Sequence, residues 1–162
     1  MSHRLLKAQL SNSKKTKLSF KGKAMNLEGT WHNELGSIMG INAVRNGAFT
    51  GTYTTAVSSA HCSQGGFQLV GQTDADSGGE AVAFVVCWQN DVSNCRSVTA
   101  WSGQAQNING EDQITAMWLL TVETSPEQDW YATHIGHDVF TRVRPTEEEI
   151  TERARTKQRS HP

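Results

Sequence analysis

Proline is scarce in this chain of 162 residues, at three, and cysteine equally so. No stretch approaches the ~20 consecutive apolar residues of a helix that spans a bilayer, so no membrane partner is expected. Acid is missing from everything before Glu28, a leader that instead carries Arg4, Lys7, Lys14, Lys15, Lys17, Lys21 and Lys23. The leader also lacks the apolar core of a secretion signal, because "LLKAQLSNSKKTKLSF" interrupts every apolar run with a polar or basic residue. Residues 1–26 are therefore expected to lie outside the fold, disordered or as an added extension, with a polyanion-binding arm as the alternative. There is no G-x-S-x-G turn for a serine nucleophile. His137 and Asp138 are strand neighbours that point to opposite faces, so an enzyme is not expected. Cys62, Cys95 and His61 do not have the spacing of a zinc site, and no metal is expected.

Glycine is plentiful instead, at 14 residues, and from Glu28 to Thr141 twelve acids stand against two bases, Arg45 and Arg96. An acidic body argues against nucleic acid as the main ligand. Turn chemistry at "RNG", "DADSGG", "NINGED" and "TSPEQ" separates strand candidates at 29–35, 37–44, 48–56, 67–73, 80–88, 97–106, 113–122 and 129–143. Eight sequential short strands predict an all-β, eight-stranded antiparallel up-and-down barrel over residues 27–144, closed so that no edge is left exposed. Two longer connections, "AVSSAHCSQGG" (56–66) and "QNDVSNCR" (89–96), follow the third and fifth strands and so open at one end. In the charged tail 145–162, Thr146 and Glu149 have the spacing of a capping box for a short, exposed helix.

Strand parity then asks what the barrel holds, since alternate residues face inward. Trp31, Asn33, Leu35 and Ser37 share one face; so do Tyr53, Thr55 and Val57, then Ser97, Thr99 and Trp101, then Trp118, Leu120 and Val122. Each set mixes apolar bulk with amides or hydroxyls that are costly to bury unpaired. A wholly packed core would favour Val, Ile, Leu and Phe at these places, so apolar walls with a few placed polar groups predict a small-molecule pocket. Outside the barrel, "AVAFVVCW" (81–88) and "AMWLL" (116–120) are apolar on both parities, which predicts self-association.

"GTWHNELGS", "FTGTYTTAV", "VTAWSG", "MWLL" and "GHDVFTRV" occur in that order between Gly29 and Val143, and together they resemble the avidin and streptavidin family of biotin-binding proteins. The resemblance implies a site for biotin and no cofactor. Asn33, Ser37 and Tyr53 match the three donors to the ureido oxygen; Asp138 and Thr55 match the acceptors of its two N–H groups. Thr99 matches the hydroxyl near the thioether sulfur, and Trp88, Trp101 and Trp118 match aromatic walls, with Leu35, Val57 and Leu120 between them. Ser97 and the loop residues Ser58 and Ser59 match the carboxylate end, while Trp31 matches a floor residue with a structural role.

Trp130 matches a residue that tetrameric members insert into a neighbour's site, so the resemblance implies a homotetramer, with Ile135 and His137 facing outward at a subunit contact. Cys62 and Cys95 resemble a branch of bacterial avidins in which a disulfide joins the two long loops. That implies an oxidising compartment, secreted or periplasmic, and hence a leader that was replaced or is incomplete. Cys87 is left as a buried, small apolar residue of the fifth strand. The alternative on the same barrel is a lipocalin-like carrier of an apolar ligand, which would not need Asp138 and three donors at the closed end.

Overall fold

The computed structural model of the chain describes residues 25–57, 65–75, 80–90 and 95–159, with only the backbone described at Asn90, Cys95 and 157–159. Eight strands, β1 (Gly29–Asn33), β2 (Ile38–Ile41), β3 (Ala48–Thr54), β4 (Phe67–Thr73), β5 (Ala81–Asn90), β6 (Cys95–Ile108), β7 (Glu111–Val122) and β8 (Thr133–Thr141), close in sequence order into an antiparallel barrel. This is the expected architecture.

Its tight turns follow from Asn-Gly pairs, because both central residues of such a hairpin need positive φ. Asn46 (51°) and Gly47 (76°) join β2 to β3, and Asn109 (56°) and Gly110 (92°) join β6 to β7. Arg45 and Ala48 exchange both backbone bonds at 2.9 Å.

Alternation then sends one face of each strand inward. Trp31, Met39, Leu69, Phe84, Val86, Ile114 and Phe140, none more than 1% exposed, pack inside the barrel. Trp31 Nε1 donates to the Leu27 carbonyl at 2.8 Å. The Arg142 guanidinium lies 3.6 Å from the centre of the same indole ring, donating to the Asn26, Glu28 and Thr30 carbonyls. Trp31 thus has the structural role expected of it. Met25 packs against this core.

Several boundaries differ from the sequence expectation. The turn "ELGS" takes Leu35 out of β1, and the second strand shortens to Ile38–Ile41. The connection expected over 89–96 narrows to 91–94, because Gln89 pairs with Arg96 and Asn90 with Cys95, continuing the β5–β6 ladder through polar residues. Residues 126–131 form a 3-10 helix started by Pro126, so β8 begins at Thr133 rather than at 129. Cys87 lies on the outer face of β5, as parity requires, but it is a free, exposed thiol rather than a buried one.

The C-terminal helix α1 (Glu147–Arg159) has its capping box. The Glu149 amide donates to Thr146 Oγ1 at 3.3 Å, and Glu149 Oε2 accepts the Thr146 amide at 2.8 Å. No described helix is long and apolar enough to cross a membrane.

His32 points outward from β1, with Nδ1 buried and without a hydrogen-bond partner. Burial, and then the nearby Arg144 cation, hold its pKa below the ordinary 6.5. The fold therefore favours the neutral ring. The resulting stability is complete above pH 6.5 and is lost as pH falls from there through the lowered folded value. A His32→Phe variant should lose less thermal stability over that window than the parent, read as melting temperature against pH.

Candidate functional site

The polar residues of the interior gather where β1 turns into β2. Asn33 closes β1, and its backbone amide donates to the Ser37 carbonyl at 3.0 Å. Its side-chain Oδ1 accepts the amides of Leu35 (3.1 Å) and Ser37 (2.7 Å). Those bonds occupy the oxygen and leave Nδ2 as the donating end of the amide. Ser37 Oγ accepts the Ala56 amide at 3.1 Å and lies near the Tyr53 hydroxyl. Burial, and next the Asp138 carboxylate, push the Tyr53 phenol well above its usual 10.0, so it remains a neutral donor at any physiological pH.

Asp138 reaches the same place from β8, with Oδ2 accepting Trp101 Nε1 at 2.9 Å. Asn33, Ser37, Tyr53, Thr99 and Asp138 are each at most 6% exposed. Three donor groups and a carboxylate thus share one buried region inside the barrel.

Aromatic rings wall the space beside them. Tyr53 stacks on Trp101 at 5.2 Å between centroids, Phe84 stacks on the other side at 4.9 Å, and Trp88 meets Tyr53 edge-on at 5.6 Å. Trp88 Nε1 donates to Thr99 Oγ1 at 2.7 Å, which fixes both side chains. Trp118, Leu120 and Ser97 face inward but are only half-buried.

Thr55 lies just past β3, where its hydroxyl donates to the Val57 carbonyl (2.8 Å) and accepts the Val57 amide (3.1 Å). Leu35 is half-buried in the turn. Val57, expected as a wall residue, is 58% exposed because β3 ends at Thr54.

The 3-10 helix holds Trp130 away from this chain's own interior, 84% exposed and edge-on to Tyr131. Ser58, Ser59 and Cys62 lie outside the described residues, so of the carboxylate-end serines only Ser97 is described, and the Cys62–Cys95 pairing is not. Ile135 (63% exposed) and His137 do face outward. With Val70, Met117 and Leu119, Ile135 leaves apolar side chains exposed on the outer wall, around a depression of about 750 Å³.

Sequence reasoning missed three contributors. Phe67 meets Trp88 edge-on at 5.1 Å; its parity with Leu69 was the available signal. Gly136 faces inward, and Trp118 occupies the space where its Cβ would stand. Glu34 reads as an outward residue, yet its Oε2 accepts the Val139 amide at 2.8 Å. There β8 has no ladder partner on β1, since the two strands pair only at His32–Thr141 and Asn33–Phe140. A carboxylate therefore stands in for missing backbone bonds, directly beside Asp138.

A family model described as "Avidin family" matches residues 21–143. The chain is 35% identical to avidin-related protein 4/5 of Gallus gallus over 133 residues, 80% of this chain and 86% of that protein. It is also 35% identical to avidin of the same organism over 127 residues, covering 75% and 81%. The crystal structure of xenavidin superposes with a TM-score of 0.65 at 32% identity, covering 75% of this chain and all of that one.

Proposed function

The chain belongs to the avidin family, and from that membership we propose that it is a non-enzymatic binding protein that holds biotin in the barrel. The carrying observation is the convergence of Asn33, Ser37 and Tyr53 with Asp138, the first two and the last anchored by hydrogen bonds to the protein and Tyr53 held by its stack on Trp101. Three donors meet the ureido oxygen while Asp138 and Thr55 accept the two N–H groups. Charge drawn toward that oxygen strengthens all five bonds together. Trp88, Trp101, Trp118, Leu35 and Leu120 wall the bicyclic ring and chain, with Val57 more exposed, and Thr99 faces the sulfur. Ser97, Ser58 and Ser59 take the carboxylate. Because the polar groups are locked in position before binding, little of the interaction is lost to ordering.

This polar cluster is what disfavours a lipocalin-like carrier, whose apolar ligand would offer these four buried groups no hydrogen bond. Titration with biotin, followed by tryptophan fluorescence, is the deciding experiment. A folded protein that gives no response would overturn the reading.

The same proposal includes a homotetramer of two-fold symmetry, supported by the exposed Val70, Met117, Leu119 and Ile135, in which Trp130 caps a neighbour's site. Trp130→Ala should then speed biotin release and loosen the assembly together. Unchanged dissociation and unchanged size-exclusion behaviour would remove that role. A Cys62–Cys95 disulfide, with export to an oxidising compartment and Cys87 left free, completes the reading. Non-reducing peptide mapping of protein made under oxidising conditions checks it, and Cys87 found in a bridge would reject it.

A further inference from the structure

Resting on the biotin reading, we propose that Ile150, in the C-terminal helix and beyond the stretch matched by the family, is a positioning residue that braces the Asn33–Ser37 turn from outside the barrel. Between Glu147 and Thr156, Ile150 and Ala154 are half-buried and every other residue is exposed. They are four apart and so share one helix face. The rest of α1 is largely charged, and a helix of 13 residues is marginal without such a docked face.

Ile150 docks on Gly36. A Cβ built there would stand 2.9 Å from Ile150 Cδ1 and 3.7 Å from the Ala56 Cβ. Gly36 also has φ of +88°, a left-handed conformation that glycine adopts without strain. The absent side chain thus serves the turn and makes the seat for Ile150.

The location gives the contact its consequence. Gly36 lies inside the turn whose amides bond Asn33: Leu35 and Ser37 to Oδ1, Gly36 to the Asn33 carbonyl at 3.0 Å. Ala56 supplies the amide that fixes Ser37 Oγ. Ile150 therefore rests on the turn at Gly36, at a spot that also borders Ala56. Arg144 bonding Glu147 at 3.0 Å and the Thr146–Glu149 box set where α1 starts, and hence where Ile150 lands. Removing its side chain frees the turn, and two of the three ureido donors lose their fixed aim without being touched.

The test uses the full chain with Ile150→Ala and, as the conservative variant, Ile150→Val. In ligand-free protein, hydrogen exchange at the Leu35, Gly36 and Ser37 amides should be at least about tenfold faster in Ile150→Ala, with the β5–β7 amides unchanged. Biotin should dissociate several-fold faster, and Ile150→Val should recover both properties. Unchanged turn exchange overturns the brace, as does a uniform rise across the barrel, which would mark a merely structural role. Faster turn exchange with an unchanged biotin off-rate rejects the positioning role. A parent that does not bind biotin sinks the function itself and, with it, Ile150 as a positioning residue for that ligand, an outcome distinct from any difference among the variants.

Discussion

Asp138→Ala is expected to lower biotin affinity by more than the ~1.5–3 kcal/mol of one charge-assisted hydrogen bond, which means a loss beyond the roughly ten- to hundredfold of such a bond. The carboxylate has two duties. One is to accept a ureido N–H, and the other is to hold Trp101 through Oδ2 at 2.9 Å, which in turn stacks on Tyr53 at 5.2 Å. Loss of the side chain removes a partner from the ligand and leaves the Trp101 indole N–H without its acceptor, so the damage spreads to a wall and to a donor. A Trp101→Phe variant separates the two duties, because it keeps the carboxylate while releasing its anchor. Equilibrium competition with a labelled biotin measures both. An Asp138→Ala protein of parental affinity would show that the ureido group does not lie in this region of the barrel.

The second large effect is expected from Gly136→Val. Gly136 faces inward on β8 opposite Trp118 of β7, and the indole ring lies where any side chain at 136 would begin. Overpacking of this kind costs about 1–3 kcal/mol even when neighbours yield. Here the neighbour that yields is a wall of the site. The melting temperature should fall by several degrees, and biotin affinity should fall with it. Adding Trp118→Leu to Gly136→Val should restore much of the stability by making room while leaving affinity low, a non-additivity that a double-mutant cycle reads directly. Stability and affinity that move together in every variant would show that Trp118 acts on the fold and not on the ligand.

Much of the architecture was legible because it is local or periodic. Asn46-Gly47 and Asn109-Gly110 have positive φ wherever they stand. The alternation along β3, with Phe49, Gly51 and Tyr53 in and their neighbours out, follows from a strand's two-residue period. The capping box at Thr146 likewise needs only its own turn. Boundaries were less legible. Whether Gln89, Asn90, Cys95 and Arg96 belong to strands depends on the ladder that pairs them, and these polar residues show no hydrophobic period to mark it.

For the site, parity alone brought Asn33, Tyr53, Thr99, Trp101 and Trp118 to the inner face, because side-chain direction is a property of each strand. It could not say which inner residues meet. That Asp138 takes the Trp101 indole N–H, that Ser37 lies between Tyr53 and Ala56, and that Trp118 lies over Gly136 depend on the stagger between strands far apart in sequence. Closure of the barrel sets that stagger. Glu34 and Ile150 were illegible for the same reason: one covers a gap that exists only because β1 and β8 pair so briefly, and the other meets a glycine 114 positions away across the outside of the barrel. Sequence decided which faces point inward, since that is backbone geometry repeated every two residues. Tertiary structure decided which polar groups converge and what holds them still, since those distances arise only when the first strand meets the last.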